Sequence, residues 1–92
     1  MRYFFFALVL IAASASAADT HSIEEISDSG RVIILDDDSV WGVDSADSVD
    51  SSVWTAADDV LIVKTDDEPS HPYLLINKDE KETVHAKYMG KL

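Results

Sequence analysis

Residues 83–89, TVHAKYM, follow an alternating pattern along the chain. In an extended backbone Val84, Ala86 and Tyr88 would point to one side, and His85 and Lys87 to the other. A period of two is typical of a β-strand that buries one face and exposes the other. This segment therefore predicts a strand near the end of the chain.

The rest of the chain after the leader consists of short apolar runs separated by turn residues. The runs cover residues 23–26, 31–35, 40–43, 60–64 and 73–77. Five or six short strands at intervals of about 8–12 residues are typical of a sandwich or a barrel. Some runs are apolar on both faces, and curling the sheet covers both faces and removes most of its free edge. We predict an all-β fold, a small barrel of five or six short antiparallel strands, SH3-like first and OB-like second.

The connections carry three further expectations. Residues 36–39, DDDS, predict a hairpin turn without glycine, so an aspartate must adopt a positive φ. Residues 44–52, DSADSVDSS, predict an acidic loop or a short helical turn with Asp44 or Ser45 as its N-cap. Trp41 and Trp54 are expected in the core, with an exposed stacking platform as the alternative.

The first residues have the order of a secretory signal peptide. Arg2 precedes an apolar run at 4–13, and small residues follow at 14–18. The run is shorter than the roughly 20 residues that span a bilayer. We predict a signal peptide at 1–17, or 1–18 as the alternative, and a single domain at 18–92 with no membrane anchor after processing. The predicted location is the periplasm, with secretion as the alternative, and residues 19–22 are expected to form a loose N-terminus.

The charge is strongly acidic and uneven. The chain has a net charge of −11, and residues 19–68 contain fifteen acidic side chains against Arg31 and Lys64 alone. Such a field repels phosphate groups, so nucleic acid and anionic lipid are poor partners. It favours a basic protein as partner, although solubility alone is a sufficient reason for the charge.

Catalysis is not expected. The sequence has no G-x-S-x-G around a serine, no glycine-rich phosphate loop and no histidine pair at metal-binding spacing. Cysteine is also absent, which excludes disulfides and a lipoprotein anchor. We therefore predict a non-catalytic exported module with a binding or structural role and no cofactor.

A metal-binding protein is the alternative function, with two candidate sites. If the mature chain begins at Asp19, its amine, two amides and the imidazole of His21 form a square-planar set suited to Cu(II) or Ni(II). Cleavage after Ala17 would move His21 to fourth place and remove that chelate. Asp44, Asp47 and Asp50 can offer oxygen ligands to Ca²⁺, and a solvated acidic loop is the competing interpretation.

Several turn and core positions also follow a recognisable pattern. The matching positions are Gly30, Val32, Ile33, Leu35, Asp37, Ser39, Trp41, Trp54, Asp58, Val60, Ile62, Leu74, Asn77, Val84 and Ala86. In these the chain resembles a group of small exported bacterial proteins of uncharacterised function that carry DGS-x-W followed by W-x-x-GD-x-V. Asp38 and Ala57 stand where that pattern has glycine. The resemblance implies a shared fold and no particular activity.

Overall fold

The computed structural model describes residues 19–92, and the predicted signal peptide lies outside them. This part of the chain forms six strands, a short 3-10 turn at Asp28–Gly30 and a one-turn helix α1 at Ser48–Ser51. The strands are β1 Asp19–Ser27, β2 Val32–Leu35, β3 Ser39–Val43, β4 Asp59–Lys64, β5 Tyr73–Asn77 and β6 Glu82–Lys91. Within the described range, no helix has the length and apolar character needed to cross a membrane.

The six strands close into a barrel in the order β1-β2-β3-β6-β5-β4, and β4 pairs back onto β1. Every neighbouring pair is antiparallel. The fold thus consists of two three-stranded meanders, β1–β3 and β4–β6, joined along both edges. The prediction of a small antiparallel barrel is confirmed. The alternating segment at 83–89 forms the centre of β6.

Strand β1 begins earlier than the sequence indicates. Residues 19–22 pair with residues 59–62 of β4, whereas residues 23–27 pair with β2. The expectation of a loose N-terminus was therefore wrong. Thr20, His21 and Ser22 carry no apolar periodicity, so only their backbone pairing reveals the strand.

The barrel interior holds one apolar cluster drawn from all six strands and the β3–β4 connection. Its buried members are Ile23, Ile33, Leu35, Trp41, Val43, Trp54, Val60, Leu75, Val84 and Ala86. Trp41 and Trp54 are only 5% and 4% exposed, so their assignment to the core is confirmed. Strand β2 buries Ile33 and Leu35 completely and leaves its two other residues half-buried, so one face of this run is covered more fully than the other.

Two tight turns require a backbone conformation that favours glycine. In the β2–β3 turn the Asp38 N–H donates to the Leu35 carbonyl at 2.9 Å, and Asp38 has a φ of 70°. In the turn before β4 the Asp58 N–H donates to the Thr55 carbonyl at 3.2 Å, and Ala57 has a φ of 78°. The predicted positive φ at an aspartate is confirmed. Both residues therefore adopt the left-handed conformation that glycine enters without a steric cost.

Replacing Ala57 with glycine is expected to stabilise the barrel. Alanine in the left-handed region costs roughly 1–2 kcal/mol, and glycine removes this cost at a smaller entropic penalty. We expect a gain of about 0.5–1 kcal/mol in the free energy of unfolding, measured by urea denaturation. The matched control is Ala56→Gly, because Ala56 precedes Ala57 in the same turn and has no positive φ. It should lose stability, and a gain of equal size would contradict the explanation.

The acidic loop at 44–52 contains the predicted helical turn, but its cap differs. The N-cap of α1 is Asp47 and makes no side-chain capping bond, whereas Asp44 Oδ1 accepts a hydrogen bond from the Ala46 N–H at 3.1 Å. The prediction of Asp44 or Ser45 as cap was wrong, since helix α1 begins later in the loop. A buried hydrogen bond anchors α1 to the barrel: Ser51 Oγ donates to the Gly30 carbonyl at 2.6 Å.

Candidate functional site

The β2–β3 turn is fixed against the first half of β1. The Asp36 N–H donates to the Ser22 carbonyl at 2.9 Å, and the Ser22 N–H donates to Asp36 Oδ2 at 3.2 Å. This reciprocal pair holds the turn beside the strand. As a result, the carboxylates of Asp36 and Asp37 lie next to the imidazole of His21, fifteen or more residues earlier in the chain.

The His21 imidazole lies between the two carboxylates. Its Nδ1 is 2.8 Å from Asp36 Oδ1, and its Nε2 is 3.9 Å from Asp37 Oδ2. The hydrogen bond from His21, followed by the one from the Ser22 N–H, holds the pKa of the Asp36 carboxyl below its usual value. An ionised carboxylate can only accept, so Nδ1 carries the proton and donates it to Asp36. In the neutral imidazole Nε2 then has a free lone pair.

A chain of hydrogen bonds connects the second carboxylate to the core. Asp37 Oδ1 accepts from both the N–H and the hydroxyl of Ser39, and Ser39 Oγ in turn accepts from Trp41 Nε1 at 2.9 Å. The bond from the Ser39 hydroxyl is the main reason why the pKa of the Asp37 carboxyl lies below its usual value. In the spacing D-x-S-x-W, the serine therefore accepts a hydrogen bond from the buried indole N–H of Trp41 and holds the carboxylate of Asp37 in position at the surface.

The acidic side chains continue along the outside of the barrel. Ser22 Oγ donates to Asp59 Oδ1 at 3.2 Å, and Asp79 Oδ2 accepts from the Asp59 N–H at 2.8 Å. Ser22 and His21 thus contact three carboxylates, and the Asp59 N–H adds a fourth. We call this set the acidic rim: Asp36, Asp37, Asp59 and Asp79. Asp37 is half-buried, and the other three are exposed.

A second buried network positions one end of the acidic rim. Asn77 is completely buried, and its Nδ2 donates to Asp58 Oδ2 at 3.0 Å. Its Oδ1 accepts from the N–H groups of Asp79 and Glu80, both at 2.9 Å. The bond from Asn77 is the largest cause that lowers the pKa of the Asp58 carboxyl. Asn77 thus fixes the turn that carries Asp79.

The three aspartates of the acidic loop do not meet as a ligand set. Asp47 Oδ2 accepts the His85 N–H at 2.8 Å and lies 3.0 Å from His85 Nδ1, whereas Asp44 bonds within its own turn. Among the described side chains, the group that brings three ligand atoms within 4.8 Å of one another is His21, Asp36 and Asp37. The Ca²⁺ site at Asp44, Asp47 and Asp50 gains no support from this arrangement.

The backbone and ring contacts of His21 differ from those that the predicted N-terminal chelate would need. Its backbone pairs with Val60 in the β1–β4 ladder, and its Nδ1 donates to Asp36. Successive amides of a strand point to opposite sides, whereas the chelate needs the amides of Thr20 and His21 on one metal ion. The chelate would therefore require the start of β1 to leave the ladder.

Within residues 19–92 there is one contact between a serine hydroxyl and a histidine ring. Ser70 Oγ lies 2.9 Å from His71 Nδ1 and donates to Glu68 Oε1 at 3.2 Å. The acid therefore contacts the serine and does not orient the histidine, so the order of a catalytic triad is not formed. These residues lie on the β4–β5 loop, and no cavity is found anywhere in residues 19–92.

Sequence reasoning identified His21 as a candidate ligand and missed both of its partners. The aspartates belong to a turn whose neighbours on β1 are set by barrel pairing, and no local spacing signals that contact. The class defined by fold and site is a small acidic β-barrel with a histidine–aspartate cluster on its surface. No family model, curated protein or solved structure matches this chain.

Proposed function

We propose that this protein is a non-catalytic module, exported to the periplasm, that binds the basic surface of another protein through its acidic rim. The observation that carries the proposal is the continuous set of carboxylates held in fixed positions by Ser22, Ser39 and Asn77. Charges at defined positions can be complementary to those of a basic surface, which speeds association and favours one partner over others. The predicted signal peptide supports the export.

The charge of the surface is largely uncompensated. In residues 20–68 no acidic side chain is buried. Over residues 20–92 the single contact within 4.0 Å between a carboxylate and a lysine or arginine is Arg31 with Asp28, at 3.7 Å. The field of these groups therefore reaches solvent and is available to steer a cationic partner, in a manner that salt weakens.

The test compares two charge-matched double variants. Asp36→Asn with Asp59→Asn removes two of the four charges of the acidic rim, and Asp66→Asn with Asp67→Asn removes the same charge from the β4–β5 loop. With polylysine as a defined probe, we expect the rim variant to bind at least about fivefold more weakly than the loop variant, since local charge dominates within a Debye length. Binding should fall steeply between low and high salt.

Capture from periplasmic extract then identifies the physiological partner. We expect a protein with a basic isoelectric point that is retained at low salt and released at high salt. Capture that salt does not affect, or equal loss in the rim and loop variants, would contradict an electrostatic interface at the acidic rim. Circular dichroism of both double variants controls for folding.

A further inference from the structure

We propose that His21, Asp36 and Asp37 form a surface site for a first-row divalent transition-metal ion, with Cu²⁺ bound ahead of Zn²⁺. The site is built from side chains of β1 and the β2–β3 turn, so it needs no free amine at the start of the chain. It does not depend on the proposed partner, and each can fail without the other.

The distance between the two ligand atoms is close to the one that a metal ion between them requires. His21 Nε2 and Asp37 Oδ2 are 3.9 Å apart, too far for a hydrogen bond. Two ligands at 2.0–2.2 Å from a tetrahedral ion are separated by about 3.4 Å. A movement of about half an ångström by one partly exposed side chain therefore completes the geometry. Water supplies the remaining positions.

The other contact of the imidazole prepares it for this role. His21 Nδ1–H donates to Asp36 Oδ1 at 2.8 Å, which leaves Nε2 as the metal-binding nitrogen. A carboxylate behind a ligating histidine fixes its ring orientation and raises its basicity. Asp36 is itself held by the Ser22 N–H at 3.2 Å. Asp36 is thus a positioning residue, and Asp37 and His21 are the ligands.

A comparison within the same chain shows what distinguishes this histidine. His85 Nδ1 also lies 3.0 Å from a carboxylate, that of Asp47. In the described chain, however, no second carboxylate joins it to make a group of three ligand atoms within 4.8 Å. The His85–Asp47 pair therefore has the orienting contact without the second ligand and provides a matched control.

The chemistry of the donor set selects the metal class. One imidazole nitrogen and carboxylate oxygen suit borderline ions, and affinity follows the Irving–Williams order, in which Cu²⁺ lies above Zn²⁺ and Ni²⁺. Hard ions such as Ca²⁺ need six or more oxygens, which this cluster does not offer. The net charge of −11 raises the local concentration of any cation.

The experiment titrates the protein, as cells produce it, with Zn²⁺ alone and with Cu²⁺ alone. In NMR spectra with Zn²⁺, we expect the imidazole signals of His21 to shift and those of His71 and His85 to stay in place. In calorimetry with Cu²⁺, Asp37→Asn and His21→Asn should weaken binding at least tenfold. Asp36→Asn should weaken it about 10–100-fold, the range found for carboxylates behind ligating histidines.

Two controls separate this site from its competitors. His85→Asn should leave the Cu²⁺ affinity unchanged. An insertion of two residues between positions 18 and 19 moves His21 away from any N-terminal amine, and binding should persist. Loss of binding in the insertion variant would assign the metal to the N-terminal chelate and overturn the proposal. Failure of the His21 signals to shift with Zn²⁺ would overturn it also, whatever the variants show.

Discussion

Replacing Gly30 with alanine is expected to destabilise the barrel severely, by about 2–5 kcal/mol. Gly30 has a φ of 87°, and a Cβ there would lie 2.5 Å from the Ser52 nitrogen and 2.6 Å from the Ser48 carbonyl oxygen. Both atoms belong to the backbone, so α1 must move away. That movement breaks the buried bond from Ser51 Oγ to the Gly30 carbonyl.

The size of this effect follows from two costs. A left-handed alanine costs roughly 1–2 kcal/mol, and a buried polar group left without its partner costs about 1–3 kcal/mol. Small domains are stable by only roughly 0.05–0.15 kcal/mol per residue, so a large share of the total is lost. Thermal unfolding should show the loss as a drop in Tm of more than about 10 °C.

Gly90→Ala is the matched control for this prediction. Gly90 also has a positive φ, of 114°, but no atom outside its immediate neighbours lies within 4 Å of the added Cβ. It therefore carries the conformational cost without the collision, and its Tm should fall less. Equal losses at the two positions would mean that the contact between Gly30 and α1 contributes nothing to stability.

The fold class could be predicted from the sequence because each strand carries its own signal. The alternation at 83–89 and the β-branched runs at 32–35 and 60–63 reflect which side chains face the interior, and that is a local property. The strand at 19–22 was missed because its residues carry no such local signal. These residues add little to the core, and pairing with β4 alone makes them a strand.

The candidate site could be predicted only in part because it is made by contacts across the barrel. His21 stood out by its position near the start of the predicted mature chain, whereas Asp36 and Asp37 were interpreted only as turn residues. The turn and the strand meet through two hydrogen bonds between Ser22 and Asp36, one between backbone groups and one to the Asp36 carboxylate. The sequence contains no signal for that register, because the β-bulge between Ile23 and Glu25 shifts it.

The turn residues link the stability of the core to the geometry of the surface. Asp37 positions a carboxylate for the site and also accepts the Ser39 bonds that lead to the Trp41 indole. The spacing D-x-S-x-W in this chain is therefore explained by packing, because it gives the buried indole N–H of Trp41 a hydrogen-bond partner. For this reason Asp37→Asn, which keeps an oxygen acceptor for Ser39, is the informative change at this position, and Asp37→Ala is not.

Truncating Leu35 to alanine is expected to cost about 2–5 kcal/mol of unfolding free energy. Leu35 ends β2, is completely buried and belongs to the single apolar cluster inside the barrel. A barrel closed by paired strands has little freedom to collapse around a lost side chain, so the cavity persists and its cost adds to the lost burial. Denaturation in urea measures the change.

Leu92→Ala is the same chemical change at a surface position and serves as the control. Leu92 is 78% exposed, and its backbone N–H, which donates to the Asp38 carbonyl at 3.0 Å, is unaffected by the substitution. Surface changes of this kind are usually within about 0.5 kcal/mol. The difference between the two losses of stability tests the closed barrel directly. In an open sheet, water could fill the space that the Leu35 side chain leaves, and the loss would be smaller. A loss at Leu35 no greater than that at Leu92 would contradict a packed interior and, with it, the rigid turn on which the histidine–aspartate cluster depends.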